Sequence, residues 1–506
     1  MMITVSCYAL ILFLLIYIKL KYFKSKFEKM LLKLPGPGYN VFIGNLMRFA
    51  VKREELYSVI SDLCNEFSNE PVVRVWLGKT PRIFLTKVEA AKVILSDISH
   101  DVKGVHYKLL YPWMGDGLLF STGAKWRERR RMITPTFHFR ILEEFRGIMN
   151  KQAAILADIL TENTNNYFNI HPYITRASLD IICETAMGIQ IGSQLEKTSN
   201  FLQAVSGMTQ CLIQRIFNIW SQIAILFPFS QIARRQHQIL EVLHTFTRKI
   251  IQERKAELEA KTQIGAKMTM ENEFGQKRRL AFLDMLLEAQ YEHGSIDDKG
   301  IQEEVDTFMF EGHDTTTSGI TWTLYNIARF PEFQAKIHEE LDQVLGTEEV
   351  TEISSQHLSN LKYLECVIKE SLRCFPAVPI FSRKLLRDTD ICGYTIPSGA
   401  TVSFLVERIH KDSNHWPEPE KFDPDRFLPE NASNRHPYAF IPFSAGHRNC
   451  IGQRFAMMEL KIIAAYILHR YSLKTETKFE TLQPISEFVL RPSNGISIKI
   501  QPRRTT

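Results

Sequence analysis

The sequence predicts a mainly α-helical protein with small β-sheets, folded as one large body behind an N-terminal membrane anchor helix. Three features support this fold class: long stretches of helical periodicity, two short β-rich runs near residue 80, and an apolar first segment. Of the 506 residues, 45% are hydrophobic and 23% are charged, which is enough apolar material for a large core. The sequence shows no Gly/Ser linker or internal repeat after residue 40, so we expect a single domain there.

The first twenty residues predict a transmembrane signal anchor. Ile3 to Ile18 is almost wholly apolar, no basic residue precedes it, and lysines are frequent from Lys19 onward. A cleaved signal peptide would instead carry a basic start and a small-residue cleavage site. By the positive-inside rule, the lysines place the following body in the cytosol.

These features divide the chain into three parts. Residues 1–20 form the anchor, residues 21–39 form a basic stretch with a Pro/Gly hinge, and residues 40–506 form the large domain. A second apolar run, Ile223 to Phe229, leaves two interpretations open. It is either part of the core or a second contact with the membrane surface.

The body begins with a hairpin and continues mainly as helices. Val72 to Leu77 and Arg82 to Thr86 are β-rich runs separated by a turn, which predicts the hairpin. Ile296 to Arg329 predicts one long helix that ends before Pro331. From Ile391 to Arg435 the chain is rich in Pro, Asp and Gly, so we expect irregular structure. Further helices are predicted at Val88 to Leu95, Lys125 to Met132, Arg140 to Thr161, Ile174 to Met187, Gln238 to Ala260, Glu365 to Arg373 and Met457 to Arg470.

Charge and cysteine usage exclude several classes of function. A net charge of +6 is too small to indicate nucleic-acid binding. The 8 cysteines form no CxxC pair, which argues against a zinc ribbon or a redox dithiol. We expect free thiols in a reducing compartment. Buried structural roles are expected for Cys64, Cys183, Cys211, Cys366, Cys374 and Cys392.

Phe443 to Gly452 holds the residues with the clearest chemistry. Cys450 precedes a predicted helix, whose backbone N–H groups and dipole favour a negatively charged sulfur. Phe443 can pack beside that sulfur, and Arg448 can pair with an anionic group such as a haem propionate. A zinc site built from His447 and Cys450 is a rival interpretation, but a second ligand pair at the usual spacing is missing from the sequence.

The long predicted helix contains polar residues that a core helix does not need. Gly312, Asp314 and Thr315 lie mid-helix, where a glycine costs about 1 kcal/mol relative to alanine. Thr315 is expected to compete for the carbonyl of Glu311 and so open a groove. Asp314 and Thr315 could then relay protons. The alternative interpretation is a kinked core helix with polar residues.

The pattern Phe443, Gly446, Arg448, Cys450 and Gly452 resembles the signature of the cytochromes P-450, and the resemblance extends over essentially the whole chain. It implies the single-domain cytochrome P-450 fold and haem b, with Cys450 as the axial ligand of the iron. Residues 40–506 would be the haem-thiolate catalytic domain. Electrons would come from NADPH through NADPH–cytochrome P-450 reductase, with cytochrome b5 as a second expected donor.

The same resemblance assigns roles to residues outside the cysteine loop. Trp126 and Arg130, spaced i and i+4, match a family pair that contacts a haem propionate, and Arg383 lies where the family places another propionate partner. A further set has a structural role. Glu370 and Arg373 share one helix face and match the family's Glu-x-x-Arg pair, which joins a later arginine, here Arg426.

Glu304 to Thr316 resembles family 4 of the cytochromes P-450, the fatty-acid omega-hydroxylase group, which includes arthropod members. Most other families have Ala or Gly where this chain has Glu311. In many family 4 members that carboxylate forms an ester with a haem methyl, so the resemblance implies covalent haem attachment through Glu311. Asp314 and Thr315 would serve as the catalytic proton relay. The chain departs from the family at His447, where proline is usual.

The resemblance to family 4 also implies partners and a location. We expect a single-pass protein of the endoplasmic reticulum membrane, in contact with lipid, that takes a hydrophobic small-molecule substrate and no nucleic acid. Arg127, Arg129 and Arg131 are expected to steer the acidic reductase. Lys103 to Met114 and Phe201 to Phe217 are expected to line the substrate pocket.

Other functions remain open at this point. A haem-thiolate isomerase or dehydratase would need neither oxygen nor a reductase, but such enzymes usually lack the acid–alcohol pair seen here as Asp314 and Thr315. A non-catalytic haem protein is a further alternative. Within the monooxygenases, hydrocarbons, hormones and xenobiotics compete with fatty acids as substrates.

Overall fold

The computed structural model describes residues 14, 15, 18, 19, 22, 24–196, 199–218, 220–222, 226–263 and 280–504. Most of the predicted anchor, residues 1–20, lies outside the described residues. Within the described part, none of the helices has both the length and the apolar character that crossing a membrane requires. The predicted apolar run from Ile223 is described from Leu226 onward, and its Phe229 is 77% exposed, so this end of the run is not core.

The body is mainly helical with small sheets, as predicted. The first helices are α1 (Lys26–Leu31), α2 (Leu56–Glu66), α3 (Val88–Leu95), α4 (Tyr111–Met114), α5 (Gly123–Ile133), α6 (Phe139–Leu160), α7 (His171–Ile182), α8 (Asn200–Phe217) and α9 (Gln231–Gln263). The later helices are α10 (Phe282–His293), α11 (Asp298–Arg329), α12 (Pro331–Leu345), α13 (Ser355–Asn360), α14 (Lys362–Cys374), α15 (Val406–His410), α16 (Pro429–Ala432) and α17 (Gln453–Arg470). The strands are β1 (Val72–Leu77), β2 (Thr80–Leu85), β3 (Tyr167–Asn169), β4 (Ile380–Lys384), β5 (Thr389–Ile391), β6 (Tyr394–Ile396), β7 (Thr401–Leu405), β8 (Tyr471–Thr475), β9 (Pro484–Glu487), β10 (Val489–Pro492) and β11 (Ser497–Pro502).

The largest sheet joins segments that are far apart in sequence. β1 and β2 form the predicted antiparallel hairpin, in which Val72 pairs with Leu85. β2 pairs in parallel with β7, and β7 pairs antiparallel with β4, which gives the order β1-β2-β7-β4. The prediction of irregular structure from Ile391 to Arg435 is wrong at β7, where all five residues are buried. A central strand needs no alternating pattern, because both of its faces are covered.

The long helix α11 borders the site and is continuous, as predicted. The Asp297 side chain caps its start by accepting from the Gly300 N–H at 2.8 Å. Most of its residues are buried, so it is packed on nearly all sides. Three of its buried threonines, Thr307, Thr316 and Thr323, donate to carbonyls one turn back, as Thr323 does to Gly319 at 2.7 Å, which satisfies these hydroxyls without breaking the helix.

Two large hydrophobic clusters form most of the core. One surrounds α11, where the Trp322 and Phe375 rings stack with centroids 4.3 Å apart, and the other lies against the four-stranded sheet. Phe440, which precedes the cysteine loop, packs against both clusters. The expectation of a structural core role is wrong for Cys392, which is exposed in the turn between β5 and β6.

Candidate active site

An internal cavity of about 220 Å³ lies between α11 and the loop before α17. Glu311 and Thr315 line it from α11, and Phe443 and Cys450 line it from the loop. Most other lining side chains are apolar, among them Leu110, Leu118, Phe310, Phe381, Phe488 and Val489. The sequence patterns around Cys450 and Glu311 therefore meet at one largely apolar cavity.

The cysteine loop folds back on itself to present the Cys450 sulfur. Ser444 and Gly446 take left-handed backbone conformations with φ of 58° and 72°. A Cβ at Gly446 would overlap the Leu95 carbonyl oxygen, so glycine is required there by close packing against α3. The Cys450 N–H donates to the Phe443 carbonyl at 3.0 Å.

The Cys450 side chain is exposed to the cavity, and the protein around the cavity shields its sulfur from bulk solvent. This desolvation raises the pKa of the thiol to about 11, and the nearby Glu311 carboxyl raises it further. A hydrogen bond from the Gly452 backbone and the charges of Arg130 and Lys103 act in the opposite direction but are weaker. The Gly452 backbone stabilises the thiolate as the sequence led us to expect, but the pKa of the thiol is still raised above its ordinary value. A bound metal cation would deprotonate such a sulfur outright.

Four cations line one edge of the cavity: Lys103, Arg130, Arg383 and Arg448. Within the described chain, none of the four forms a salt bridge with a carboxylate; the arginines donate to uncharged oxygens instead. The acceptors are Asn449 for Arg130, Ser382 for Arg383, and Leu119 and Ser121 for Arg448. Burial lowers the pKa of Arg448 to about 9 and that of Arg383 in the same direction. Asp101 and Glu311 act on these groups only through their charge, so this edge holds several basic side chains without a direct ion pair among the described residues.

These residues fit haem. The sulfur of Cys450 suits iron, and the row of cations suits two propionate groups. Trp126 lies at the same edge, with the Arg448 guanidinium 4.5 Å from its ring centroid and the His447 ring at 5.5 Å. Arg130, Arg383 and Trp126 therefore line the same cavity as Cys450.

Lys103 was missed as a site residue by the sequence interpretation. It marked only the edge of an expected pocket-lining segment, but here it forms a backbone bridge with Arg383 and lines the cavity with Tyr107. A signal for its role was absent from the local sequence, because its neighbour lies 280 positions further along. The other expected pocket segment, Phe201 to Phe217, does not contribute to the lining of this cavity.

The polar residues of α11 divide between two environments. The Thr315 hydroxyl donates to the Glu311 carbonyl at 2.7 Å, as expected, and both side chains line the cavity. Burial raises the pKa of Glu311 to about 7, against the opposing charges of Lys103 and Arg448. Asp314 is absent from the lining, is 3% exposed, and pairs with Arg491.

The predicted structural charge network is brought together away from the cavity. Glu370 and Arg373 pair on α14, and the Arg426 Nε lies 3.6 Å from the Glu370 carboxylate. The main hydrogen bonds of Arg426 go to the carbonyls of Pro417 and Glu418, at 2.5 and 2.8 Å.

The expected basic surface on α5 needs one correction. Arg127 and Arg131 are exposed, but Arg129 is 9% exposed and its Nε lies 3.8 Å from the Glu304 carboxylate. Because it faces inward, Arg129 does not contribute to a docking surface.

Comparisons with known proteins agree with this arrangement. The cytochrome P450 family model matches residues 34–500. Cytochrome P450 4c3 of Drosophila melanogaster is 39% identical over 502 residues, covering 98% of this chain and 93% of that protein. Cytochrome P450 4V2 of Homo sapiens is 42% identical over 463 residues, covering 91% of this chain and 88% of that protein. The chain therefore belongs to the cytochrome P450 family, with relatives in family 4, and is an oxidoreductase of the haem monooxygenase type.

Proposed function

We propose that this monooxygenase hydroxylates the terminal carbon of a fatty acid or a similar long-chain lipid. The proposal rests mainly on the position of Glu311, a half-buried residue whose desolvated carboxyl group lies in the wall of a largely apolar cavity. Such a group is costly unless it is paired or consumed. Oxidation of a haem methyl C–H bond during turnover with O2 and NADPH-derived electrons would let the Glu311 carboxylate form an ester at that carbon. The ester would remove the charge of Glu311 and hold the haem rigidly, as in many members of family 4.

The residues of the cavity have separate tasks in this proposal. Cys450 would hold the haem iron and Phe443 would pack beside the sulfur. Arg448, Arg130 and Arg383, together with Lys103 and Trp126, would hold the propionates. Bound haem supplies the insertion of one oxygen atom from O2 into a C–H bond.

The chain itself supplies protons and excludes water. The Thr315 side chain lies at the cavity surface, where its hydroxyl can pass a proton onward. Asp314, the next residue back, would be the acid that supplies this proton. The apolar lining keeps bulk water from the reacting carbon. A rigid, narrow site favours the exposed methyl end of a long chain over its weaker internal C–H bonds.

Location and partners follow from the same proposal. Residues 1–20 would anchor the protein in the endoplasmic reticulum membrane, residues 21–39 would form the hinge, and residues 40–506 would face the cytosol. The substrate would enter from the lipid. Arg127 and Arg131 would attract NADPH–cytochrome P-450 reductase, with cytochrome b5 as a second donor.

Product regiochemistry tests the substrate. The full chain in membranes is incubated with reductase, NADPH and fatty acids of several lengths, and the products are identified. Terminal hydroxylation supports the proposal and defines the chain length. Absence of a fatty-acid product, together with an intact thiolate-type carbon monoxide spectrum, would overturn it and direct attention to hydrocarbons, terpenoid hormones and xenobiotics.

The haem ligand has its own test. Cys450→Ala should abolish the thiolate-type carbon monoxide spectrum, whereas Cys374→Ala, a thiol outside the cavity, should keep it. Persistence of the spectrum in Cys450→Ala would rule out this cysteine as the ligand.

A further inference from the structure

Asp314 is tied to the hairpin of β9 and β10. Its Oδ2 pairs with Nη2 of Arg491 on β10, and the two side chains are only 3% and 12% exposed. This contact joins the centre of α11 to a residue 177 positions later in the chain. The carboxyl group proposed to supply protons is therefore paired with a guanidinium group, which does not give up a proton itself.

Arg491 has a second carboxylate within reach. Its Nη1 lies 3.7 Å from the Glu487 carboxylate, which also pairs with Arg53 at 3.0 Å and accepts from the Thr209 hydroxyl at 3.3 Å. The row Asp314, Arg491, Glu487, Arg53 alternates in charge and sums to zero. Its outer end reaches the surface, since the Arg53 side chain is 34% exposed.

The strand that carries Arg491 is fastened to α11. The Leu490 carbonyl accepts from the Ser318 hydroxyl at 2.6 Å and from the Trp322 indole N–H at 3.1 Å. Val489 lines the cavity and lies two residues from Arg491, so both side chains project from the same face of β10. The position of the guanidinium is therefore set by the same strand that shapes the cavity wall.

We propose that Arg491 is a positioning residue for the reaction, which acts by controlling the orientation of the Asp314 carboxyl group. This inference rests on the proton-supplying role proposed above for Asp314. While paired with Arg491, Asp314 is turned away from the cavity. When Arg491 shifts its contact to Glu487, the released Asp314 carboxylate takes up a proton from solvent and passes it to the Thr315 hydroxyl, which gives its own proton to the reacting group. Asp314 is then again a carboxylate that can pair with Arg491.

A double-mutant cycle tests this role. Arg491→Met, Asp314→Asn and the combined variant are compared by the rate of product formation and by the product formed per NADPH consumed. In Arg491→Met, the mispositioned Asp314 should lower the rate of product formation about tenfold. The enzyme should then release hydrogen peroxide in place of product. Because Arg491 acts through Asp314, adding Arg491→Met to Asp314→Asn should change the rate less than about twofold.

Two further variants keep the test independent of folding. Arg491→Lys retains the charge but loses the fork geometry, so it should restore the rate only in part. Arg254→Met removes a comparable pair, since Arg254 and Asp284 are 13% and 15% exposed and lie away from the cavity. It should leave the product formed per NADPH unchanged. The carbon monoxide spectrum reports folding in every variant.

Each outcome of the double-mutant cycle either supports or overturns the proposed role of Arg491. Equal effects of Arg491→Met in the presence and absence of Asp314 would mean that Arg491 is merely structural, which overturns the inference. If Asp314→Asn alone changes neither the rate nor the product per NADPH, the proposed role of Asp314 fails and the inference fails with it. Loss of the Arg491 effect only in the Asp314→Asn background supports both.

Discussion

Glu370 and Arg373, one turn apart on α14, form a fully buried ion pair with two hydrogen bonds. Arg373 donates through Nε to Oε2 at 2.6 Å and through Nη2 to Oε1 at 2.8 Å, and neither side chain is exposed. Glu370 also accepts the Asp423 N–H at 2.8 Å, and Arg373 donates to the carbonyls of His410 and Pro419. The pair therefore ties α14 to the long segment that leads to the cysteine loop.

Arg373→Met should destabilise the fold severely. Removing Arg373 leaves the buried Glu370 carboxylate with only the more distant Arg426 and the Asp423 N–H, which costs about 3–5 kcal/mol. Chemical denaturation of the haem-loaded protein measures the loss. A matched control is Lys369→Ala on the same helix, whose exposed pair with Glu365 should contribute less than about 1 kcal/mol. Equal losses in the two variants would contradict the prediction.

Glu311→Gln should abolish covalent attachment of haem. The amide keeps the size of the side chain but has no carboxylate oxygen to form the ester. After turnover, acid extraction should release all haem from this variant and leave part of it on the wild-type protein. Glu304→Gln is the control, because this buried glutamate of α11 bonds the Leu118 N–H at 2.9 Å and does not line the cavity. Complete extraction from the wild type would rule out the ester.

Glu459→Gln should make the protein less sensitive to rising pH. Glu459 is fully buried on α17, where the hydroxyls of Ser178 and Thr316 lie near its carboxyl group, but burial is the larger effect and raises its pKa from 4.5 to about 8. The folded state thus holds this proton more tightly than the unfolded state. The contribution of this proton to the free energy of unfolding is fully present below about pH 4.5. It is lost as the pH rises through 8, by up to roughly 5 kcal/mol.

The variant lacks this titration, so its stability relative to the wild type should increase between about pH 5 and 8. Thermal unfolding of both proteins across this range measures the difference. Parallel profiles would show that Glu459 remains neutral or finds a compensating partner.

Arg127→Glu combined with Arg131→Glu should weaken the interaction with the reductase. Both side chains are exposed on α5, and reversing a surface charge mainly slows association at low salt. We expect about a three- to tenfold higher reductase concentration for half-maximal rate, with a smaller difference at high salt. Lys249→Glu reverses a charge whose side chain is 72% exposed on α9 and should have no such effect. Identical behaviour of the two variants would contradict a specific docking role.

Local patterns predicted much of the fold. The helix Val88–Leu95 has the predicted bounds, and the hairpin forms within two residues of its predicted position. Both are complete within a short stretch of chain, where periodicity and turn residues decide the structure. β7 was missed because a buried central strand acquires its pairing from β2, more than 300 residues earlier.

The active site shows the same division between features set by local sequence and features set by contacts between distant segments. The sequence by itself determined that Cys450 lies in a tight loop before a helix and that Glu311 and Thr315 share one helix wall, since each pattern spans only a few residues. Tertiary structure alone decided that Lys103 joins the cations at the cavity edge, that Arg129 is buried, and that Asp314 pairs with Arg491. These contacts join distant parts of the chain, and packing selects them only once the helices and strands are assembled.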